Sequence, residues 1–89
     1  MPLTLDEIKD AGKLTPNETE TAKNPSEGKA WNIEPPLRVK VWIVAPHGLH
    51  VGEIVQASVL FERNDSQLHT LRVDKNKLWY AIGYFELAP

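Results

Sequence analysis

Residues 37–43 read LRVKVWI, and this run decides the fold class. Its first, third, fifth and seventh residues are aliphatic, whereas the residues between them are Arg38, Lys40 and Trp42. Alternation with a period of two is the pattern of a half-buried β-strand, because successive side chains point to opposite faces. We therefore predict a strand whose aliphatic row, Leu37, Val39, Val41 and Ile43, faces the core.

Shorter runs of the same kind follow downstream. Segments rich in β-branched and aromatic residues occupy 54–62, 68–73, 78–82 and 86–87, and polar or glycine-containing turns separate them. Short strands with a turn about every 8 to 12 residues are typical of small all-β domains. Closure of the sheet would remove its exposed edges. The sequence thus predicts a small antiparallel barrel of four to five strands.

The layout of residues 37–87 resembles the SH3-like barrel. A long loop at 45–53 follows the first strand, two hairpins come next, and a tight turn at 83–85 precedes the last strand. The ligand-binding motifs of SH3 domains do not match: the first strand has no Ala-Leu-Tyr-like opening, and the chain has neither a Trp-Trp pair nor a Pro-Ser-Asn-Tyr segment. The resemblance therefore implies the fold and not the recognition of proline-rich peptides. Short chains of this layout that end in a Tyr-Phe-Glu-like segment, here 84–86, also resemble small accessory proteins of bacteria and phages.

Upstream of the strand, the composition changes at Pro35-Pro36. Residues 16–30 contain no Val, Ile, Leu, Met, Phe, Trp or Tyr, so they lack the apolar side chains needed for a core. We predict a largely disordered tail over 1–33 and a small β-barrel domain over 34–89.

Two features of the tail could attach it to the domain or to a partner. Residues 4–12 could form a short helix, with Thr4 as N-cap and Glu7 at the capping-box position. Such a short helix is marginal alone and needs a surface on which to dock. Trp31 is expected to anchor the tail on the domain, because an aromatic residue in a polar linker usually packs.

Composition and charge limit the kinds of site and partner that we expect. The chain has no cysteine, which excludes disulfides and thiolate metal sites. Residues 1–36 carry four Lys against seven acids, net −3, and residues 37–89 carry six Lys or Arg against five acids, net +1, which together give the formal −2. A nucleic-acid-binding domain usually has a clear basic excess, whereas residues 37–89 have an excess of only one positive charge, which disfavours nucleic-acid binding. No export signal and no run of about 18 apolar residues is present, so we expect a cytoplasmic protein without a membrane partner.

No motif indicates catalysis or a cofactor. The chain has no nucleophile elbow and no glycine-rich phosphate loop, and its acids are scattered, so we expect a protein that is not an enzyme and that binds no cofactor. His47, His50 and His69 suggest a metal site with Glu53 or Asp65 as a further ligand. Their spacing matches no known ligand pattern, and we predict no metal.

The sequence leaves three functions to compare. We favour a non-enzymatic protein-binding module, an accessory or regulatory protein that contacts its partner through exposed aromatics and the tail. The candidate contact residues are Trp42, Trp79, Tyr80, Tyr84, Arg38 and Lys40. One alternative is a nucleic-acid-binding barrel that stacks bases on these aromatics. Its phosphate-binding residues would be Arg38, Lys40, Arg63, Arg72, Lys75 and Lys77. The other is a structural subunit of a larger assembly, for which self-association provides the partner.

Overall fold

A single antiparallel sheet forms the centre of the molecule in the computed structural model, which describes residues 1–43 and 48–89. The elements in chain order are α1 Leu5–Ala11, β1 Lys13–Pro16, α2 Glu18–Lys23, β2 Gly28–Val41, β3 Ile54–Arg63, β4 Thr70–Val73, β5 Trp79–Ala81, a 3₁₀ helix Ile82–Tyr84 and β6 Phe85–Leu87. The strands lie in the order β1-β2-β3-β4-β5, and β6 pairs with β2. The predicted all-β antiparallel class is confirmed, with six strands in the described part of the chain in place of four to five.

Strand β2 runs straight through the predicted domain boundary. It is 14 residues long, and its pairing with β3 is interrupted between Asn32 and Leu37, where Pro35 and Pro36 lie. Proline has no N–H to donate to a ladder, so it is tolerated at such an irregularity. The half before the prolines pairs with β1 and the half after them with β6. Pro35-Pro36 therefore lies inside a strand that pairs with β3 both before and after it.

Residues 13–30 of the tail, which was predicted to be largely disordered, contain regular structure. They form β1, α2 and the start of β2. Asn17 caps α2 by accepting a hydrogen bond from the Glu20 N–H at 2.9 Å, and the Thr21 hydroxyl accepts one from the Ala30 N–H at 2.8 Å. Polar contacts to the sheet thus hold a segment that has too few apolar residues to pack by itself.

The short helix expected at 4–12 is confirmed as α1. Thr4 and Glu7 form the predicted capping box, in which the Glu7 N–H donates to the Thr4 hydroxyl and the Thr4 N–H donates to the Glu7 carboxylate. Ile8 of this helix is completely buried, and Leu3 just before it is also in the core. We call the sheet face that α1 covers the inner face, and the opposite one the outer face.

The main core lies between α1 and the inner face of the sheet. Its members include Leu37, Val39 and Val41, as the alternation predicts. Ile43, expected in the same row, is 42% exposed because β2 ends at Val41. Trp31 packs against this core, and its indole N–H donates to Glu62 at 3.1 Å, as expected of an anchor.

An irregularity in β3 creates a second, smaller cluster. Val55 and Ala57 belong to the main core, but the register with β4 shifts between Ala57 and Val59. Val59 and Phe61 then form a separate cluster with Ala30 on the outer face. The sequence pattern places Val55, Ala57, Val59 and Phe61 on one face, because a bulge leaves no signature in the alternation.

The sheet stays open, in contrast to the predicted barrel. Among residues 1–43 and 48–89, no strand pairs with the second edge of β5, which continues into the 3₁₀ helix and β6. The N-terminal segment covers the neighbouring region instead, and the Leu3 N–H donates to the Phe85 carbonyl at 2.7 Å. No helix within the described ranges is long and apolar enough to cross a membrane.

Candidate functional site

The second half of β2 presents a row of predicted contact residues on the outer face. Leu37, Val39 and Val41 are buried, whereas Arg38 is exposed, Lys40 is half-buried and Trp42 is 41% exposed. This alternation brings Arg38, Lys40 and Trp42 to one face, as the sequence predicts.

Further apolar side chains surround this row. The register places Ile54 of β3 directly opposite Lys40. The Val41 N–H donates to the Glu53 carbonyl at 2.9 Å and the Gly52 N–H donates to the Val41 carbonyl at 2.8 Å, which brings the loop around Val51 to the end of β2. Ile43, Val51 and Ile54 are 42 to 58% exposed. We call Arg38, Lys40, Trp42, Ile43, Val51 and Ile54 the Trp42 surface.

Backbone contacts fix the position of Trp42. Its N–H donates to the Tyr84 carbonyl at 2.7 Å, so the end of β2 is attached to the 3₁₀ helix that precedes β6. On the other side of the row, Glu86 of β6 lies opposite Lys40. The backbone of Trp42 is therefore bonded to the 3₁₀ helix, while its side chain is exposed.

An ion pair borders the Trp42 surface. The Glu53 carboxylate accepts hydrogen bonds from the Lys75 ammonium and, at 3.1 Å, from the His50 N–H. Both bonds favour the charged form, the one from Lys75 more strongly, and they lower the pKa of Glu53 below its usual value. Glu53 therefore holds Lys75 and the loop next to Ile54 together at neutral pH.

Trp79 lies in a different part of the sheet. It pairs with Arg72 of β4, which pairs with Val59 and, through it, with Asn32 of β2. Trp79 is thus level with Asn32 and far along β2 from Trp42, so the two tryptophans do not form one patch. Its ring packs edge-on against Phe61, with centroids 6.3 Å apart, and the Arg72 guanidinium lies 5.7 Å from its centroid.

Of the two tyrosines named as contact residues, Tyr80 lies in the interior and Tyr84 is half-buried. Tyr80 is only 2% exposed, and its hydroxyl accepts a hydrogen bond from the Asn76 side-chain amide at 2.7 Å. Its ring meets those of Tyr84 and Phe85 edge-on. Tyr84 is half-buried against the core. Tyr80 alternates with the exposed Trp79, as a strand requires, and its burial removes it from the contact residues.

Acids neutralise much of the predicted phosphate-binding set. Arg63 pairs with Asp65 at 3.4 Å, Arg72 with Glu20 of α2 at 3.2 Å, and Lys75 with Glu53. Arg38 and Lys40 form no ion pair with any residue in the described part of the chain. The basic residues therefore do not add up to one continuous positive surface.

The histidines do not come together as a site in the part of the chain that the structure covers. His47 lies outside the described residues. His50 is exposed, whereas His69 is buried and its Nδ1 accepts a hydrogen bond from the Arg63 N–H at 3.0 Å. Within 1–43 and 48–89, no three His, Cys, Asp or Glu side chains group as metal ligands would.

Sequence reasoning missed Ile54 and Val51. Ile54 was assigned to a strand, but only the cross-strand register reveals that it extends the row of Trp42. No family model, curated protein or solved structure matches the chain.

Proposed function

We propose that this chain is a non-enzymatic protein-binding module that holds a partner protein through the Trp42 surface. The observation that carries the proposal is a tryptophan that is 41% exposed, next in sequence to the exposed Ile43, at the end of a strand where the exposed Ile54 lies opposite Lys40. Contiguous exposed apolar side chains are unusual on a small protein and mark interaction sites. Tryptophan is also enriched among the residues that contribute most to binding.

The chemistry of the partner follows from the composition of the surface. Trp42, Ile43, Val51 and Ile54 require an apolar centre, whereas Arg38 and Lys40 at the border favour acidic side chains around it. An apolar centre with a polar rim is the usual anatomy of a protein interface. The partner is therefore a folded protein with an apolar patch and an acidic rim.

Nucleic-acid binding has weaker support. It would rely on phosphate contacts from basic residues, three of which are paired with acids. The chain also carries a formal net charge of −2. Arg38 and Lys40 beside Trp42 are the one feature in its favour.

Affinity capture from the native host with matched tryptophan variants tests the proposal. Trp42→Ala should weaken retention of the partner about tenfold or more, because truncating a central anchor typically removes 2 kcal/mol or more of binding energy. Trp79→Ala is the control, since Trp79 is similarly exposed and lies elsewhere on the sheet. Arg38→Glu should weaken binding by a smaller factor that depends on salt.

Two results would contradict the proposal. One is a partner that is retained equally well by the Trp42→Ala variant and by the Trp79→Ala variant. The other is a chain that binds oligonucleotides at low salt with an affinity that falls steeply as salt is added and depends on Trp42, which would establish the nucleic-acid alternative.

A further inference from the structure

A groove lies between the N-terminal segment and the end of the β4–β5 pair, where the Ile82 N–H donates to the His69 carbonyl at 3.0 Å. Its volume is about 460 Å³, within the range of about 300–1,000 Å³ that is usual for small-molecule sites. The apolar residues that line it are Leu3, Leu5, Leu68, Ala81 and Ile82. Leu68 is 69% exposed, so part of this apolar lining is open to solvent.

His69 adds a buried polar group to the groove. It lines the groove although it is only 8% exposed. Its Nδ1 accepts a hydrogen bond from the Arg63 N–H at 3.0 Å, and its side chain makes no other hydrogen bond to the described residues. A ring nitrogen that accepts a hydrogen bond carries no proton, so the ring proton is on Nε2 and this atom is a donor.

The Nε2–H of His69 is available to a ligand. Within residues 1–43 and 48–89, no fully buried side-chain nitrogen or oxygen lacks a hydrogen-bond partner. Nε2, which has none, therefore reaches open space, and the groove is where this ring borders open space. A ligand that fills the groove has to offer an acceptor to this donor, because a buried donor without a partner is unfavourable.

Asp6 gives the groove its one formal charge among the described residues. It lines the groove, its side chain is exposed, and it forms no ion pair with any residue of 1–43 or 48–89. The other described residues of the lining are uncharged. The field of an unpaired carboxylate beside apolar walls favours a cation and disfavours an anion.

We propose that this groove binds a small apolar amine that also carries a carbonyl group. The apolar body packs against Leu5, Leu68 and Ile82, the His69 Nε2–H donates to the carbonyl oxygen, and the ammonium group lies near the Asp6 carboxylate. Apolar walls with a few polar groups that fix the orientation of the ligand are usual in small-molecule sites. None of the six residues of the Trp42 surface lines the groove, so this site is separate from the one proposed above.

An NMR titration of the full-length chain with aminoethylbenzamide tests the site. This probe joins a phenyl ring, an amide carbonyl and an ammonium group. It should shift the backbone amide signals of Leu5, His69 and Ile82 in a saturable way, with a dissociation constant of about 0.1–10 mM for so small a molecule. Hydroxyethylbenzamide has a hydroxyl group in place of the ammonium group and should bind about two to five times more weakly.

A matched pair of variants on α1 tests the role of Asp6. Asp6→Asn should weaken aminoethylbenzamide about two- to fivefold and leave hydroxyethylbenzamide unchanged, because only the first probe carries a charge. Asp10→Asn is the control, since it removes the same charge from the same helix at a position that does not line the groove. It should leave the binding of both probes unchanged.

His69→Asn tests the donor. The amide oxygen of asparagine can accept the Arg63 N–H in place of Nδ1, so the variant should keep the circular dichroism spectrum of the native fold while losing the Nε2–H. Binding of aminoethylbenzamide should weaken about fivefold. A measurement on the wild-type chain gives the same information without a variant: the Nε2 proton of His69 should exchange with solvent more slowly when the groove is saturated.

Two outcomes would overturn the inference. One is the absence of any saturable shift up to roughly 20 mM aminoethylbenzamide. The other is a probe whose affinity is the same for the wild type and Asp6→Asn and whose binding leaves the exchange of the His69 Nε2 proton unchanged. Trp42→Ala should bind the probe as the wild type does, which separates this test from that of the proposed function.

Discussion

Gly28 lies where β2 comes too close to the backbone of β3 for a side chain to fit. It begins β2 opposite Arg63, and a Cβ added to it would lie 2.2 Å from the Glu62 carbonyl oxygen and 3.0 Å from the Arg63 Cα. Both obstacles are backbone atoms of β3, which cannot move without disturbing the ladder. We expect Gly28→Ala to lower the free energy of unfolding by about 1–3 kcal/mol, the usual range for overpacking.

Gly83→Ala is the matched control for this prediction. Apart from its own chain neighbours and nearby helix backbone, no heavy atom of the described residues lies within 4 Å of a Cβ at Gly83, so the free energy of unfolding should change by less than about 0.5 kcal/mol. Urea unfolding followed by circular dichroism measures both variants. Equal midpoints for Gly28→Ala and the wild type would show that β2 and β3 separate easily at this end.

Helix α1 covers the inner face of the sheet and contributes Ile8 to the main core. Ile8 is completely buried although the helix has only seven residues. We expect Ile8→Ala to lower the free energy of unfolding by about 2–5 kcal/mol, because alanine leaves a cavity while slightly favouring the helix. Asp10→Ala, at an exposed position of the same helix, should change it by less than about 0.5 kcal/mol.

Urea unfolding of these two variants decides whether α1 is docked. Similar midpoints for Ile8→Ala and Asp10→Ala would mean that the helix contributes nothing to the core. Such a result would favour the alternative in which α1 docks on a partner protein and not on its own sheet.

Elements with local signals could be predicted from the sequence, and elements held by distant contacts could not. The strand at Leu37 has its alternation and α1 has its capping box, and both signals lie within a few residues. Helix α2 depends on Thr21 bonding to Ala30, nine residues away, and on Arg72 reaching Glu20 across the sheet. A prediction from a few consecutive residues cannot identify such distant partners.

The candidate site likewise contains some residues that the sequence predicts and others that it does not. Arg38, Lys40 and Trp42 share a face because they share a strand. The contribution of Ile54 depends on the register between β2 and β3, and that of Val51 depends on how the loop folds back onto Val41. Tyr80 was predicted to be a contact residue, but it is buried on the inner face. Its burial depends on the 3₁₀ helix, whose Tyr84 packs against it, and the sequence of β5 gives no sign of that contact.

The two parts of the sequence, before and after Pro35-Pro36, contribute strands to one sheet. A chain of residues 34–89 would lack α1, β1, α2 and the first half of β2. The end of β3 from Val59 to Arg63 would lose its pairing with β2 and be left with that to β4 over Val59 to Phe61. It would also lose the buried side chains of Ile8, Ala30 and Ile33. We expect this truncated chain to show no cooperative urea transition and to give a poorly dispersed NMR spectrum, since so small a remainder cannot bury enough surface.

A chain that begins at Gly12 provides the comparison. It lacks α1 but keeps every strand, so its transition should remain cooperative and move to a lower urea concentration. The full-length chain should unfold last. If residues 34–89 unfold cooperatively and retain native-like chemical shifts at Val39 and Tyr80, the first 33 residues are an appendage after all. A gradient of stability across the three chains would instead establish that the polar N-terminal third completes the sheet.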